Sequence, residues 1–397
     1  MRSSENPATR AVRASLESDR QHGAVVPPLH LSSNYTFSAF SEKRQYDYTR
    51  SGNPTRDALG DAISALEGGA GGVVTASGMA ALTLVLQLLK PGDLLVAPHD
   101  CYGGSFRLFE SLAARGHFEV MFIDQTDASS VARACARKPR LILVETPSNP
   151  LLRIVDIEAL AAAAHACGAL LAVDNTFLSP ALQQPIALGA DIVIHSTTKY
   201  LNGHSDVVGG AVVAATDELS DTLRWWANCL GITGAPFDSY LTLRGIRTLY
   251  ARMQSHEQNA NLLAGVLQEH SSVNRVYYPG LRGHPGHAIA CQQQQGFGGM
   301  ISFEIKGGEP AVRAFVESLR HFSLAESLGG VESLVCHPAS MTHAPVSREA
   351  LLNAGIGQNL VRLSVGLESG EDLVADVLEA LEAAQQATAR AAVTIVA

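Results

Sequence analysis

The sequence is poor in lysine, in clustered positive charge and in long apolar runs. Only five of its 29 basic residues are lysines, the arginines are scattered, and the formal net charge is −9. Nucleic-acid-binding domains need a concentrated basic surface, and this composition argues against that class. No apolar run approaches the roughly 18–20 residues that cross a bilayer, and the first residues lack the apolar segment of a secretory signal. We therefore expect no nucleic-acid partner and no membrane partner.

Cysteine is also sparse, and its spacing predicts neither a disulfide framework nor a metal site. The six cysteines stand far apart, at positions 101, 135, 167, 229, 291 and 336. Scattered single thiols are typical of a reducing compartment, so we expect a cytoplasmic protein. The histidines that could suggest a metal lie outside any metal-ligand spacing and are interpreted as structural: His195, His204, His337 and His343.

The hydrophobic pattern divides the 397 residues into three parts. Residues 1–55 show little periodicity and predict an extended N-terminal arm. In residues 56–250, short apolar runs alternate with helical stretches, which predicts an α/β domain whose mostly parallel sheet is covered on both faces. Residues 251–397 mix longer helices with a few strands and predict a smaller α+β domain.

One lysine directly follows an apolar strand. Residues 192–204 read "IVIHSTTKYLNGH", so that Lys199 comes after an apolar run and three hydroxyl-bearing residues. Lysine is among the side chains least often buried, which makes this position unusual. The remaining lysines lie in polar segments or turns and are expected at the surface: Lys43, Lys90, Lys138 and Lys306.

Polar side chains also follow other predicted strands, where ligands bind in an open parallel sheet. Asp174 ends the apolar run "ALLAVD", and a buried carboxylate is costly without a cation or donors. Ser77 is in an N-cap position before Gly78 and Met79, whose backbone N–H groups would open a helix and form an anion site. Ser196 and Thr198 add hydroxyl groups beside Lys199.

A phosphate site, an amine and a buried carboxylate together match pyridoxal 5′-phosphate (PLP). Its aldehyde condenses with a lysine, its pyridine nitrogen needs an anionic partner, and its phosphate is a dianion. Tyr102, in "HDCYGGS", could stack on the ring, and Arg362, in "LVRLSVG", could bind a substrate carboxylate.

Taken singly, these residues have simpler interpretations. Ser77 with Gly78 could be an ordinary helix cap, Asp174 a turn residue and Lys199 an exposed turn lysine. Other candidates are weaker. Glu67 closes a helix and is expected to be solvated, the "GGAGG" segment at 68–72 does not match a dinucleotide fingerprint, and no G-x-S-x-G elbow is present.

The chain resembles the Cys/Met-metabolism family of PLP enzymes from about residue 6 to residue 387. The resemblance is carried by long segments: "YDYTRSGNPTR", "TASGMAA", "APHDCYGGSFRLF", "ETPSNPL", "VDNTFLSPALQQPIALGADIVIHSTTKYLNGHSDVVGG" and "LAESLGGVESLVCHPASMTH". It implies the aspartate-aminotransferase-like fold of fold type I PLP enzymes, and a homotetramer built of two tight dimers.

The resemblance also implies roles for particular residues. Lys199 would bind the PLP aldehyde covalently, Asp174 would pair with the pyridine nitrogen, and Tyr102 would stack on the ring. The phosphate would be held by Gly78, Met79, Ser196 and Thr198. Tyr48 and Arg50 would complete the site of the neighbouring subunit. The substrate carboxylate and the cofactor oxygen would be bound by Asn149, Ser327 and Arg362.

The implied reaction is γ-replacement on O-succinyl-L-homoserine by L-cysteine, giving L-cystathionine and succinate. Arg107 and Lys43 are candidates for the distal succinyl carboxylate. The alternative is γ-elimination of cystathionine to cysteine, 2-oxobutyrate and ammonia, for which Asp47 and Glu326 could bind the distal amino group. A more remote alternative is a non-catalytic binding or regulatory protein with the same fold. The residue types leave the two reactions open, whereas the presence of Lys199, Asp174 and Arg362 argues against a non-catalytic protein.

Overall fold

The computed structural model describes residues 5–342 and 354–396, with side chains up to residue 390. His343, one of the histidines interpreted as structural, lies outside the described residues. In the described part of the chain, no helix has the length and apolarity that a bilayer span requires.

A seven-stranded sheet has the strand order β1-β7-β6-β5-β4-β2-β3. Its strands are β1 (Gly71–Thr75), β2 (Leu94–Pro98), β3 (Glu119–Ile123), β4 (Leu141–Glu145), β5 (Leu170–Asp174), β6 (Ile192–His195) and β7 (Gly210–Ala214). Only β7 pairs antiparallel with its neighbours β1 and β6, and the other pairs are parallel. The predicted α/β class with a mostly parallel sheet is confirmed.

Alternate residues of the strands are buried on opposite faces of this sheet, because side chains in a strand alternate in direction. Leu95 and Leu143 join one apolar cluster, and Val96 and Val144 join another. The helices of this part of the chain are α2 (Pro54–Glu67), α3 (Gly78–Leu86), α4 (Gly103–Ala114), α5 (Ala128–Cys135), α6 (Ile157–Ala166), α7 (Ser179–Leu182), α8 (Asp217–Leu230) and α9 (Pro236–Ile246), with a 3-10 turn at Pro185–Leu188.

Polar caps set where several of these helices begin. Asn53 accepts hydrogen bonds from the N–H groups of Thr55 and Arg56 ahead of α2, and Pro54 occupies the first helical position. Helix α2 ends at Glu67 and is capped by Gly68, which adopts φ +76°, a conformation that favours glycine. Side-chain caps of this kind satisfy N–H groups that the first turn of a helix leaves unpaired.

A second sheet, of five strands, has the order β10-β11-β12-β9-β8. Its strands are β8 (Val273–Tyr277), β9 (Met300–Ile305), β10 (Phe322–Leu324), β11 (Ser333–Cys336) and β12 (Leu360–Ser364). It packs with α10 (Leu249–Glu269), α12 (Gly308–Ser318) and α13 (Gly370–Val396). Helix α11 (His287–Gln293) lies between β8 and β9 in the chain, and a 3-10 turn spans Pro338–Ser340. The domain boundaries at residues 55 and 250 stay predictions.

The N-terminal segment is mostly irregular, but it contains a short helix that the sequence pattern did not predict, α1 (Pro7–Val12). Asn6 caps this helix, and Arg10 donates a hydrogen bond from Nη1 to the carbonyl oxygen of Ala65 at 2.8 Å. Beyond it the segment exposes apolar side chains, among them Phe40 at 99% exposure.

Candidate active site

A cavity of about 420 Å³ opens at the carboxyl ends of the strands of the larger sheet. Residues of the smaller sheet and of the loop after β10 close its other side. The predicted site residues that line it are Gly78, Met79, Tyr102, Asn149, Asp174, Ser196, Thr198, Lys199, Glu326, Ser327 and Arg362. Parallel strands bring their carboxyl ends to one edge, which is why residues distant in sequence meet here.

Lys199 is partly buried, whereas the four other lysines of the chain are exposed, so the interpretation of Lys199 as an exposed turn lysine is wrong. Its Nζ donates a hydrogen bond to Oγ of Ser327 at 2.7 Å. Burial lowers the pKa of Lys199 to about 8, the positive charge of Arg362 adds to this effect, and Glu326 opposes it. About a tenth of this amine is therefore neutral at pH 7, and a neutral amine is a nucleophile and a base.

Asp174 ends β5 beside the cavity. Burial raises its pKa, whereas the hydroxyl and N–H of Thr176 and the nearby His195 favour the ionised form. The N–H of Thr176 donates to Oδ1 of Asp174 at 3.0 Å. This carboxylate, at the edge of the cavity, is therefore partly stabilised in its ionised form by Thr176.

The start of α3 has the features of an anion site. Oγ of Ser77 accepts from the N–H of Ala80 at 3.0 Å, which leaves the earlier N–H groups of the helix to a ligand. Gly78 lies so close to Ser196 that a Cβ at residue 78 would be 2.8 Å from Cβ of Ser196. Glycine is therefore required where these two segments meet. The Thr198 hydroxyl bonds to the backbone of Gly209.

Arg362, on β12, is buried with 3% exposure. Its Nη1 donates to Oδ1 of Asn149 at 2.8 Å, and its Nη2 donates to the carbonyl oxygen of Ser327 at 3.0 Å. Its Nε is buried without a hydrogen-bond partner. A buried guanidinium with an unused donor beside a cavity is suited to binding a carboxylate. Ser327 itself has φ +88°, a strained conformation for serine.

Sequence reasoning missed Glu145, which lines the same cavity. Its Oε2 accepts from the N–H of Tyr102 at 2.9 Å, and its Oε1 accepts from the N–H of Asn149 at 3.1 Å. Burial raises the pKa of Glu145 to about 8, with a further contribution from Asp174. Glu145 ends the apolar strand β4 as Asp174 ends β5, and the same signal could have identified it.

Some predicted residues lie outside this cavity. Arg50 donates through Nη1 to the carbonyl oxygen and to Oδ1 of Asn228, at 2.7 and 2.8 Å, and lines a separate cavity. Tyr48 is half exposed in the N-terminal segment. Arg107 is exposed on α4. Their predicted roles are not tested by this geometry.

Asp47 and Lys43 pair with each other. Nζ of Lys43 lies 2.5 Å from Oδ2 of Asp47, and the Ser51 hydroxyl donates to Oδ1 of Asp47 at 2.9 Å. The hydrogen bond from Lys43 and that from Ser51 lower the pKa of Asp47 to about 2. Lys43 and Asp47, both candidates for binding a distal substrate group, are thus paired with each other within this chain.

The expectation that Glu67 is solvated is wrong, because Glu67 is 1% exposed. Helix α2 packs against the sheet, and its last residue reaches the end of β6. There Oε1 of Glu67 lies 2.6 Å from Nε2 of the buried His195 and accepts from Nδ2 of Asn175 at 2.8 Å. The described residues contain no group of His, Cys, Asp and Glu side chains that could hold a metal ion.

The donor set of the cavity fits PLP. It combines an amine of lowered pKa, a carboxylate at the end of β5, a helix N-terminus that Gly78 brings close to Ser196, and a buried arginine with an unpartnered Nε. These features match an aldehyde, a pyridine nitrogen, a phosphate and an amino-acid carboxylate in turn.

Comparison with known proteins identifies the family. The model of the Cys/Met metabolism PLP-dependent enzymes matches residues 8–382. The chain belongs to this family. Like its relatives, this family member is a PLP-dependent enzyme with the fold type I architecture.

Individual relatives include both synthases and lyases. The chain is 56% identical to cystathionine gamma-synthase of Escherichia coli (strain K12) over 380 residues, which covers 96% of this chain and 98% of that one. Cystathionine beta-lyase of Lactococcus lactis subsp. cremoris (strain MG1363) is 47% identical and cystathionine gamma-lyase of Bacillus subtilis (strain 168) is 46% identical, each over 94% of this chain and 98% of the relative.

A solved structure is similar as well. The crystal structure of cystathionine gamma synthase from Xanthomonas oryzae pv. oryzae in complex with cystathionine has a TM-score of 0.96 and 61% identity, covering 96% of this chain and 99% of that one. The family member described here is therefore an enzyme of the cystathionine synthase and lyase group.

Proposed function

We propose that this enzyme is a cystathionine γ-synthase: L-cysteine replaces the succinyl group of O-succinyl-L-homoserine, giving L-cystathionine and succinate for methionine biosynthesis by transsulfuration. The observation that carries the proposal is the position of the Lys199 amine, held 2.7 Å from Ser327 beside Arg362. A base and a carboxylate-binding group are thereby adjacent, as a reaction at the carbons of an amino acid requires.

The cofactor would be held by the residues that line the cavity. Lys199 would bond to its aldehyde, Asp174 would accept from its ring nitrogen, and Tyr102 would cover a ring face. Its phosphate would lie at the start of α3 among Gly78, Met79, Ser196 and Thr198. When bound, PLP supplies an electron sink for charge that develops next to the amino-bearing carbon of a substrate.

The protein would then have to move protons at two neighbouring carbons. γ-Replacement requires a proton to leave Cα and another to leave Cβ before the γ-substituent departs. Lys199 has one long, flexible side chain and a pKa lowered to about 8, so a single amine can act as base and acid at both carbons. Arg362 and Asn149 would fix the substrate carboxylate meanwhile.

Sequence identity supports the synthase over the lyases. The synthases above share 56% and 61% of their residues with this chain, whereas the lyases share 46–47%. The pairing of Asp47 with Lys43 involves one acidic and one basic candidate for a distal substrate group, so it favours neither reaction.

A γ-lyase reaction is the second candidate, because Glu326 lines the cavity and could bind the distal amino group of cystathionine. Incubation with O-succinyl-L-homoserine, with and without L-cysteine, and with cystathionine alone distinguishes the two reactions by mass spectrometry of the products. Cystathionine formed from the first pair is expected. Cysteine, 2-oxobutyrate and ammonia formed mainly from cystathionine would make the enzyme a lyase.

We further propose a cytoplasmic homotetramer in which Tyr48 and Arg50 complete the neighbouring subunit's site. The two residues lie outside the Lys199 cavity of their own chain, and the N-terminal segment around them exposes large apolar side chains such as Phe37 and Phe40. A second copy of the chain could cover these side chains.

The colour of the purified protein distinguishes an enzymatic role from a non-catalytic one. The purified protein should be yellow after reconstitution with PLP, and Lys199→Ala should lose the absorption band of the lysine-bound cofactor. A folded wild-type protein that stays colourless would refute an enzymatic role.

A further inference from the structure

Glu145 joins two loops of the candidate active site. It ends β4 directly beside Asp174 of β5 in the sheet register. Its two carboxyl oxygens accept from different loops, Oε2 from the N–H of Tyr102 at 2.9 Å and Oε1 from the N–H of Asn149 at 3.1 Å. The first loop follows β2 and the second follows β4, so one side chain fixes their separation.

Both loops carry residues to which we assign ligand contacts. Tyr102 directly precedes α4 and lines the cavity, and Asn149 accepts a hydrogen bond from Nη1 of Arg362 at 2.8 Å. Among the side chains of this length, only a carboxyl group offers two acceptor oxygens to two separate N–H donors. Glutamine keeps one acceptor and turns an NH₂ group toward the other donor.

We propose that Glu145 is a positioning residue for amino-acid binding, which holds the Tyr102 loop and the Asn149–Arg362 pair in the places that a bound substrate needs. The inference rests on the proposed function, because it takes the roles of Tyr102, Asn149 and Arg362 from there. A purely structural Glu145 would contribute to folding without affecting the affinity of the folded site.

The test compares Glu145→Gln with Glu257→Gln in the reconstituted holoenzyme. Glu257, on α10, is partly buried and accepts one backbone N–H, from Phe297 at 2.7 Å, but it does not line the cavity. The variants therefore make the same chemical change at an acid with the same kind of bond. The probe is L-2-aminobutyrate, which has the amino-acid end of the substrate without a leaving group, titrated by the change in cofactor absorbance.

We expect Glu145→Gln to raise the Kd of L-2-aminobutyrate about 10–100-fold, because it leaves one of the two loop N–H donors without an acceptor. The KM for O-succinyl-L-homoserine should rise by a similar factor, with a smaller change in kcat. Glu257→Gln should leave both constants within about twofold of the wild type. In an Asn149→Ala background the effect of Glu145→Gln should shrink, because the two residues act on one contact.

Equal Kd values for Glu145→Gln and wild type, or a change confined to the melting temperature, would overturn the inference. If Glu145→Gln does not fold, Glu145→Asp takes its place: its carboxylate is one carbon too short to reach both loops, and an unchanged Kd would again refute the inference. The binding readout needs no turnover. A wild type that binds L-2-aminobutyrate but makes no cystathionine contradicts the proposed function alone.

Discussion

At the scale of single residues, Lys199 is set apart by what surrounds its amine. The other lysines are exposed, whereas Lys199 lies in the cavity with the cationic Arg362 nearby. Both burial and like charge disfavour the ammonium form. The pKa of Lys199 is therefore lowered to about 8, which favours the neutral amine that the proposed chemistry needs.

This surrounding predicts a pH dependence for cofactor uptake by the apoprotein. Only the neutral amine attacks an aldehyde, so below pH 8 the rate of recombination with PLP should rise about tenfold per pH unit and then level off above the Lys199 pKa of about 8. Stopped-flow absorbance between pH 6 and 10 measures this rate. In Arg362→Met the midpoint should move to higher pH. A wild-type rate that still rises tenfold per pH unit up to pH 10 would contradict the low pKa of Lys199.

Arg362 should not tolerate replacement by lysine. Lysine keeps the charge but cannot bond to Asn149 and Ser327 and still present a planar fork to a carboxylate. We expect Arg362→Lys to raise the KM for the amino-acid substrate roughly 30-fold, which corresponds to a loss of about 2 kcal/mol of binding free energy. The exposed Arg313→Lys is the control and should behave as wild type. Steady-state kinetics decide, and a KM within threefold would refute the assignment.

At the scale of elements, the end of helix α2 is tied to strand β6 by a buried polar group. The side chains of Glu67 and His195 are at most 1% exposed, and Oε1 of Glu67 lies 2.6 Å from Nε2 of His195. Asn175, directly after Asp174, donates to the same carboxylate oxygen. Strand ends that carry Asp174 and Ser196 are thus fixed from behind the cavity by one carboxylate.

Removing this carboxylate should destabilise the fold. Glu67→Ala leaves buried polar atoms of His195 and Asn175 without their partner, which costs about 3–5 kcal/mol when a buried pair is broken. Urea unfolding of the holoenzyme is the measurement, with the exposed Glu317→Ala as the control, expected within about 0.5 kcal/mol of wild type. A loss below 1 kcal/mol would show that the group contributes little.

The sequence predicted the strands and some site residues, but it did not predict the contacts that depend on packing. The strands β1 to β6 were readable because each is a short apolar run bounded by polar residues, and Lys199 and Asp174 stood out because each follows such a run. The burial of Glu67 was not readable, because it depends on where α2 packs. The bond between Arg362 and Asn149 joins residues 213 positions apart, and no local pattern encodes such a pair.

At the scale of the whole molecule, Tyr48 and Arg50 raise the question of which subunit they serve. If they complete a neighbour's site, two variants that are inactive alone should recover activity when their subunits assemble together. Co-expression of Arg50→Ala with Lys199→Ala should give mixed dimers in which one site has both residues, with about a quarter of wild-type activity after random pairing.

Assays of the purified co-expressed pair, beside each variant alone, measure this recovery. Activity no higher than that of the Arg50→Ala protein by itself would mean that Arg50 acts within its own chain. The same samples report oligomeric state by light scattering, for which a mass of four chains is expected.

The site also links recognition to reactivity through an unbroken series of contacts. Asn149 holds Arg362, Arg362 holds the carbonyl of Ser327, and the hydroxyl of Ser327 holds the amine of Lys199. A ligand that shifts the Arg362 guanidinium would therefore also shift Ser327, which accepts the hydrogen bond from Lys199. If these residues have the proposed roles, decarboxylated analogues should bind weakly and should also leave the hydrogen bond between Ser327 and Lys199 in place. Substrate selection and the freeing of the amine would then depend on the same atoms.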